Sequence, residues 1–243
     1  MWVFAGLTTL VLAVIAVGVK DISKPPTVAR PAALSASVRP TQHTAPSGAH
    51  RRTSLTSSKP KPSASTSRKI PKITDANSGL SYRLLSSPWR RGCLDTLNTP
   101  MFSWSAGERA VAEIAPGIHW YGDACSGLLE QQFQYAGPAD LQPVAMGVAD
   151  AVDLAYYSAV QHYRTVEASF AIHVSGHPAW EVTFLMTYPD AGGQGLTFSS
   201  EASAVVLVDR GAGRAPAVFY ASVPSNLGAS EVKSLIHSLR LAT

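Results

Sequence analysis

The chain has 243 residues, 46% of them hydrophobic and 15% charged, and a formal net charge of +4. That charge is unevenly spread: residues 20–78 carry eleven Lys/Arg against Asp21 and Asp75, a net of +9, which leaves −5 for residues 79–243. A nucleic-acid-binding domain needs its basic residues on the folded part, and here that part is acidic, so nucleic acid is excluded as a partner.

Met1 to Val19 contains no charged side chain. At the helical rise these residues reach about 28 Å, close to the hydrocarbon thickness of a bilayer. They are read as an uncleaved transmembrane anchor that partners the lipid bilayer. A cleaved signal peptide and a cytosolic apolar helix are the rival readings. A signal peptide has a shorter apolar core behind basic residues, and no basic residue precedes this run. Lys20, Lys24 and Arg30 follow the span, which by the positive-inside rule argues for a cytoplasmic domain. The cysteine pair and the composition of the following segment argue for the outside, and the domain is placed there.

Residues 20–78 form the second expected region, a disordered basic tether. From 21 to 78 there are 18 Ser/Thr and 8 Pro but no Phe, Trp or Tyr. Ordering such a segment would cost backbone entropy with almost nothing apolar to bury. As a flexible coil it spans about 40–45 Å, enough to hold a domain off a bilayer and toward cell-wall polymer or an envelope protein.

Residues 79–243 are the expected globular domain, long enough for one core. Leu80–Leu85 reads as a strand ended by Ser87-Pro88-Trp89. Arg109–Ile114 reads as another, stopped at Pro116-Gly117. His119–Phe133 is apolar only in patches and resists assignment. Asp140 is placed as the cap of a helix whose Leu141, Val144, Ala145, Val148 and Val152 repeat at three- and four-residue steps, with Pro143 in its first turn. Ser169–Val174 and Ala179–Tyr188 flank a turn at Ser175-Gly176-His177-Pro178, a hairpin pattern. Ala202–Val208 is nearly all apolar, Asp209–Gly213 turns the chain, and Ala217–Val223 returns. A closing helix starts near Ser230. The order gives an α+β fold, a mostly antiparallel sheet covered by helices.

Four segments carry a family resemblance: Gly176-His177-Pro178-Ala179-Trp180, Val208-Asp209-Arg210-Gly211, the run Ala217–Pro224, and Ser238-Leu239-Arg240. Over residues 79–243 the chain resembles uncharacterised membrane-anchored or secreted proteins of high-GC Gram-positive bacteria with a PsbP-like α+β domain. The resemblance implies that sandwich fold and an extracytoplasmic binding or accessory role. It rests on turns and core strands and transfers no catalytic residue.

Cys93 and Cys125 are the only cysteines. Their spacing suits no metal, and with an export-like N-terminus they read as a disulfide. Closing a loop of this length contributes about 3–4 kcal/mol in the chain-entropy model. Two buried thiols, or one nucleophilic thiol, are the alternatives. His119 with Asp123, and His173 with His177, are weak candidates for a metal or acid–base pair, but no H-E-x-x-H or C-x-x-C occurs. Neither a metal nor a cofactor is therefore expected, and no catalytic residue is assigned. The glycine runs at 192–195 and 211–213 read as hairpin connections. Asp150 and Asp153 are expected to face water.

Among the aromatics, Trp89, Trp104, Trp120 and Tyr121 are the candidate ligand platform, since such side chains give large contact area at low entropic cost. The leading reading is a membrane-anchored extracytoplasmic binding or accessory module of the cell envelope. One alternative is an envelope hydrolase assembled from His119, Asp123 and Ser126. Another is a cytoplasmic-facing regulator held by its tether on acidic lipid.

Overall fold

Two strands sit inside the large sheet, buried along most of their length, because almost every side chain along them is apolar or small. In a computed structural model that describes residues 71–92, 97–115, 117–211 and 213–242, these are β8 (Ser200–Val208) and β9 (Ala217–Pro224). Around them lie β3 (Arg90–Arg91), β4 (Trp104–Ala115), β5 (Ile118–Leu128), β6 (Tyr163–Val174) and β7 (His177–Thr187). The seven form an antiparallel sheet in the order β3-β4-β5-β9-β8-β7-β6. A small second sheet joins β1 (Lys72–Thr74), β2 (Leu80–Arg83) and β10 (Arg240–Leu241), with β2 in the middle. All these elements fall in one unit, Ser63–Thr243. The anchor expected at 1–19 and most of the tether lie outside the described residues. No helix among the described residues is long and apolar enough to cross a membrane.

Strand alternation sorts the core into two layers. On one face Val205, Leu207, Val218, Tyr220, Val182 and Phe184 meet the apolar stripe of α1 (Leu141–Tyr157), namely Leu141, Val144, Ala145, Val148, Ala149 and Val152. On the other face Ala204, Val206, Val208, Phe219, Ala221 and Val223 meet α2 (Glu231–Ser238) and the small sheet, through Leu235, Ile236, Leu80, Tyr82 and Ile73. A sheet covered on both faces is why Ala202–Val208 lacks a polar face.

Several expectations need correction. The folded part begins before residue 79: Lys72–Thr74 is already a strand, with Ile73 sealed beneath the small sheet. Asp75 then accepts from the amides of Asn77 and Ser78 and the hydroxyls of Ser78 and Ser105, pinning the connection to β2. Asp140 does not cap α1; its Oδ2 accepts the Ala136 amide, 2.8 Å upstream. The patchy segment from His119 to Leu128 is β5, an interior strand between β4 and β9. The β6–β7 turn is tighter than expected. Ser175 and Gly176 alone connect the strands, both at positive φ (52° and 84°), as a two-residue hairpin between right-twisted strands requires.

Candidate ligand cavity

The β4–β5 hairpin is irregular where it matters. Opposite Tyr121 and Trp120, the register on β4 shifts between Val111 and Glu113. Neighbours on an ideal strand point to opposite faces, yet Trp120 and Tyr121 both line one cavity of about 370 Å³. Its other walls come from the end of α1 (Ala155, Tyr156, Tyr157), and its polar lining includes Asp123 of β5, Glu201 of β8 and Ser222 of β9.

Glu201 is 1% exposed. Burying a carboxylate costs several kcal/mol unless donors replace water, and three do. Tyr157 O–H donates to Oε1 at 2.6 Å, while Trp120 Nε1–H and Tyr188 O–H donate to Oε2 at 2.8 and 3.1 Å. The Tyr157 oxygen is also 2.8 Å from the Tyr220 hydroxyl and 2.9 Å from Ser222 Oγ. Burial lifts the Glu201 carboxyl from its usual range to about 7; the three donors pull it down, and the nearby Asp123 charge lifts it further. Burial likewise pushes the Tyr157 and Tyr220 phenols well up, so both stay protonated donors.

Asp123 is placed by cross-strand pairing, with Arg109 opposite it on β4 and Ser222 opposite it on β9. Arg109 Nε and Nη2 donate to Asp123 Oδ1 at 3.2 and 3.0 Å, and the guanidinium lies 4.3 Å from the Tyr121 ring centre. Burial raises Asp123 to about 6 despite the opposing pull of Arg109. A third carboxyl, Glu108, points to the opposite face of the sheet. It accepts the Leu85 amide at 2.9 Å and is raised by burial to about 7.

The four platform aromatics do not converge. Trp120 and Tyr121 share the cavity. Trp104 is buried in the α1 layer, its Nε1–H donating to Tyr156 Oη at 2.9 Å. Trp89 is buried in the opposite layer, against Gly122, where a Cβ would lie 3.0 Å from its ring; glycine is what lets the indole reach β5. The hydrolase set is also split. His119 and Asp123 line the cavity, but His119 is exposed. Ser126 is fully buried, with its odd-numbered neighbours Asp123 and Cys125 turned to the α1 side. Asp150 is exposed and pairs with Arg164; Asp153 is half-buried and accepts from His162 at 2.6 Å. His173 and His177 lie on adjacent strands one register step apart. No group of three His, Cys, Asp or Glu suited to a metal ion occurs among the described residues. Cys125 is buried on β5 and is not a free cysteine; Cys93 lies outside the described residues.

Glu201 was not singled out by its sequence. A carboxylate at the mouth of a strand that is otherwise apolar to Val208 was the available signal.

No protein-family model matches the chain, and no curated protein matches it. Among solved structures it is similar to the cyanobacterial PsbP (CyanoP) of Synechocystis sp. PCC 6803, at 11% identity and a TM-score of 0.45 over 72% of this chain and 96% of that one. It is similar to LpqN of Mycobacterium tuberculosis, described as involved in cell envelope biogenesis, at 13% identity and a TM-score of 0.42 over 70% and 91%. It is also similar to the Ran-binding protein Mog1p of Saccharomyces cerevisiae, at 12% identity and a TM-score of 0.40 over 71% and 96%. Likenesses this distant carry no argument, and the α+β class stands on the strand pairing itself.

Proposed function

We propose that this chain is a binding or accessory module of the cell envelope, with the cavity between β5, β8, β9 and α1 as its binding site. Residues 1–19 would hold it in the bilayer, residues 20–78 would extend it, and the domain would face outward toward wall polymer or another envelope protein. The observation that carries the reading is the cavity. A carboxylate network inside an apolar core is costly, and a purely structural one needs no open space beside it. Here open space of ligand size adjoins it, with aromatic walls and polar groups converging from β5, β8, β9 and α1, as a small-molecule site needs. The charge-free N-terminus, the basic Ser/Thr/Pro segment, the cysteine pair and the family resemblance support the outward placement. The hydrolase reading has less behind it, because strand alternation separates Ser126 from Asp123.

Protease shaving of intact cells tests the placement. Trypsin is expected to release the domain by cutting in the Lys/Arg-rich stretch before Lys72. A chain that stays intact until the cells are lysed would overturn the reading.

A further inference from the structure

The hydrogen atoms around the cavity restrict what can occupy it, an inference that rests on the cavity being the binding site. Tyr157 has one hydroxyl proton, and its 2.6 Å bond to Glu201 uses it. The Tyr220 hydroxyl and Ser222 Oγ, at 2.8 and 2.9 Å, must then donate to the Tyr157 oxygen. Trp120 Nε1–H is spent on Glu201, and Tyr156 O–H on the Leu97 carbonyl at 2.6 Å. The floor therefore has its donors committed; of the other lining residues only His119 and Tyr121 keep a side-chain N–H or O–H with no hydrogen bond among the described residues.

Acceptors remain. The two bonds from Arg109 to Asp123 both fall on Oδ1, and among the described residues no hydrogen bond falls on Oδ2. Asp123 is 5% exposed, so that oxygen has little solvent to turn to except through the cavity it lines. Glu201 lines the same space with neutral donors only, close enough to Asp123 for the two charges to repel. An anion would meet two carboxylates. A polyol would need donors for its own oxygens as well as acceptors for its hydroxyls. A cation with N–H groups meets a complementary site, and the ring faces of Trp120 and Tyr156 would attract its charge. Tyr121 contributes less, because Arg109 already covers its ring.

We propose that the cavity binds a small organic ammonium ion, which donates to Asp123 Oδ2 and lies against Trp120 and Tyr156. The volume of about 370 Å³ restricts it to a compact amine.

Tryptophan fluorescence of the full-length chain, titrated with n-butylammonium, 1-butanol and butyrate, separates charge from size. Butylammonium is expected to saturate the signal at a concentration at least tenfold below 1-butanol, with no saturable response to butyrate. Asp123→Asn keeps an acceptor for Arg109 and removes the charge; it is expected to weaken butylammonium at least tenfold. Ala155→Met fills the cavity from a partly exposed helix position without touching the network, so it keeps the test decisive if the Asn variant does not fold. It should abolish the response. Equal binding of 1-butanol and butylammonium, both lost in Ala155→Met, would overturn the ammonium assignment while leaving the cavity a binding site. Binding that survives Ala155→Met, or no saturable response to butylammonium, would overturn it too. Failure of the envelope placement is read separately by the shaving assay.

Discussion

Replacing Glu201 with Gln should change how stability depends on pH more than it changes stability itself. Burial raises the Glu201 carboxyl to about 7 in the folded chain, against an ordinary value of 4.5. Between those values the folded state keeps a proton that the unfolded chain releases. This contribution to stability is fully present below pH 4.5 and is lost as pH rises through 7. The gap corresponds to about 3 kcal/mol, at roughly 1.4 kcal/mol for each factor of ten. Gln cannot titrate, so its variant lacks this loss. It can also be accommodated: an amide oxygen in place of Oε2 accepts from Trp120 and Tyr188, and the amide NH₂ in place of Oε1 donates to the Tyr157 oxygen. Tyr157 then turns its own proton toward Tyr220 or Ser222, and the chain of hydroxyls reverses at a cost of about 1 kcal/mol. Urea unfolding of both full-length chains at pH 5 and pH 8, followed by tryptophan fluorescence, measures the difference. The wild type should lose about 2.5 kcal/mol more than Glu201→Gln over that interval, which starts above the unfolded value and so samples only part of the gap. The same fall in both chains would refute the reasoning, because the proton would then reside elsewhere.

Arg109→Met leaves Asp123 buried beside an apolar stem, which should cost about 3–5 kcal/mol at pH 8; the cost should shrink at pH 5, where Asp123, raised to about 6, is protonated. Phe219→Ala removes a fully buried ring that packs 4.9 Å from Tyr82 and should destabilise by about 3–5 kcal/mol in the same urea assay. For the proposed Cys93–Cys125 bridge, alkylation of denatured, unreduced protein should label neither thiol, and reduction should lower stability by about 3–4 kcal/mol; two labelled thiols would remove the bridge.

Where one periodicity dominated, the fold was legible in the sequence. The apolar stripe of α1, the β6–β7 hairpin and the apolar run of β8 were all readable because each is buried by a single simple geometry. β5 was not. Its outer half, around Trp120 and Tyr121, faces a register shift on β4 that breaks the two-residue alternation a strand assignment relies on. β1 was hidden for a different reason: one isoleucine among polar residues is too little to flag a strand, and it is held by pairing with β2 and by Asp75, whose partner Ser105 lies 30 positions downstream. The site was half legible. Trp120, Tyr121 and Asp123 stood out by type, but Trp89 and Trp104 belong to opposite layers, a fact only the sheet's facing can decide. Glu201 gains its meaning from Tyr157, 44 positions upstream, and Trp120, 81 upstream, and no local pattern encodes such partners.

The small sheet brings the two ends of the folded region side by side. Thr74 and Arg240 both pair with Ser81, from opposite sides, so they lie about 10 Å apart, two strand spacings. A fusion added after residue 242 would therefore emerge beside the point where the chain enters β1 at Lys72. Traction applied just before Lys72 would load the three-residue β1 pairing first, peeling a short ribbon before force reached the large sheet.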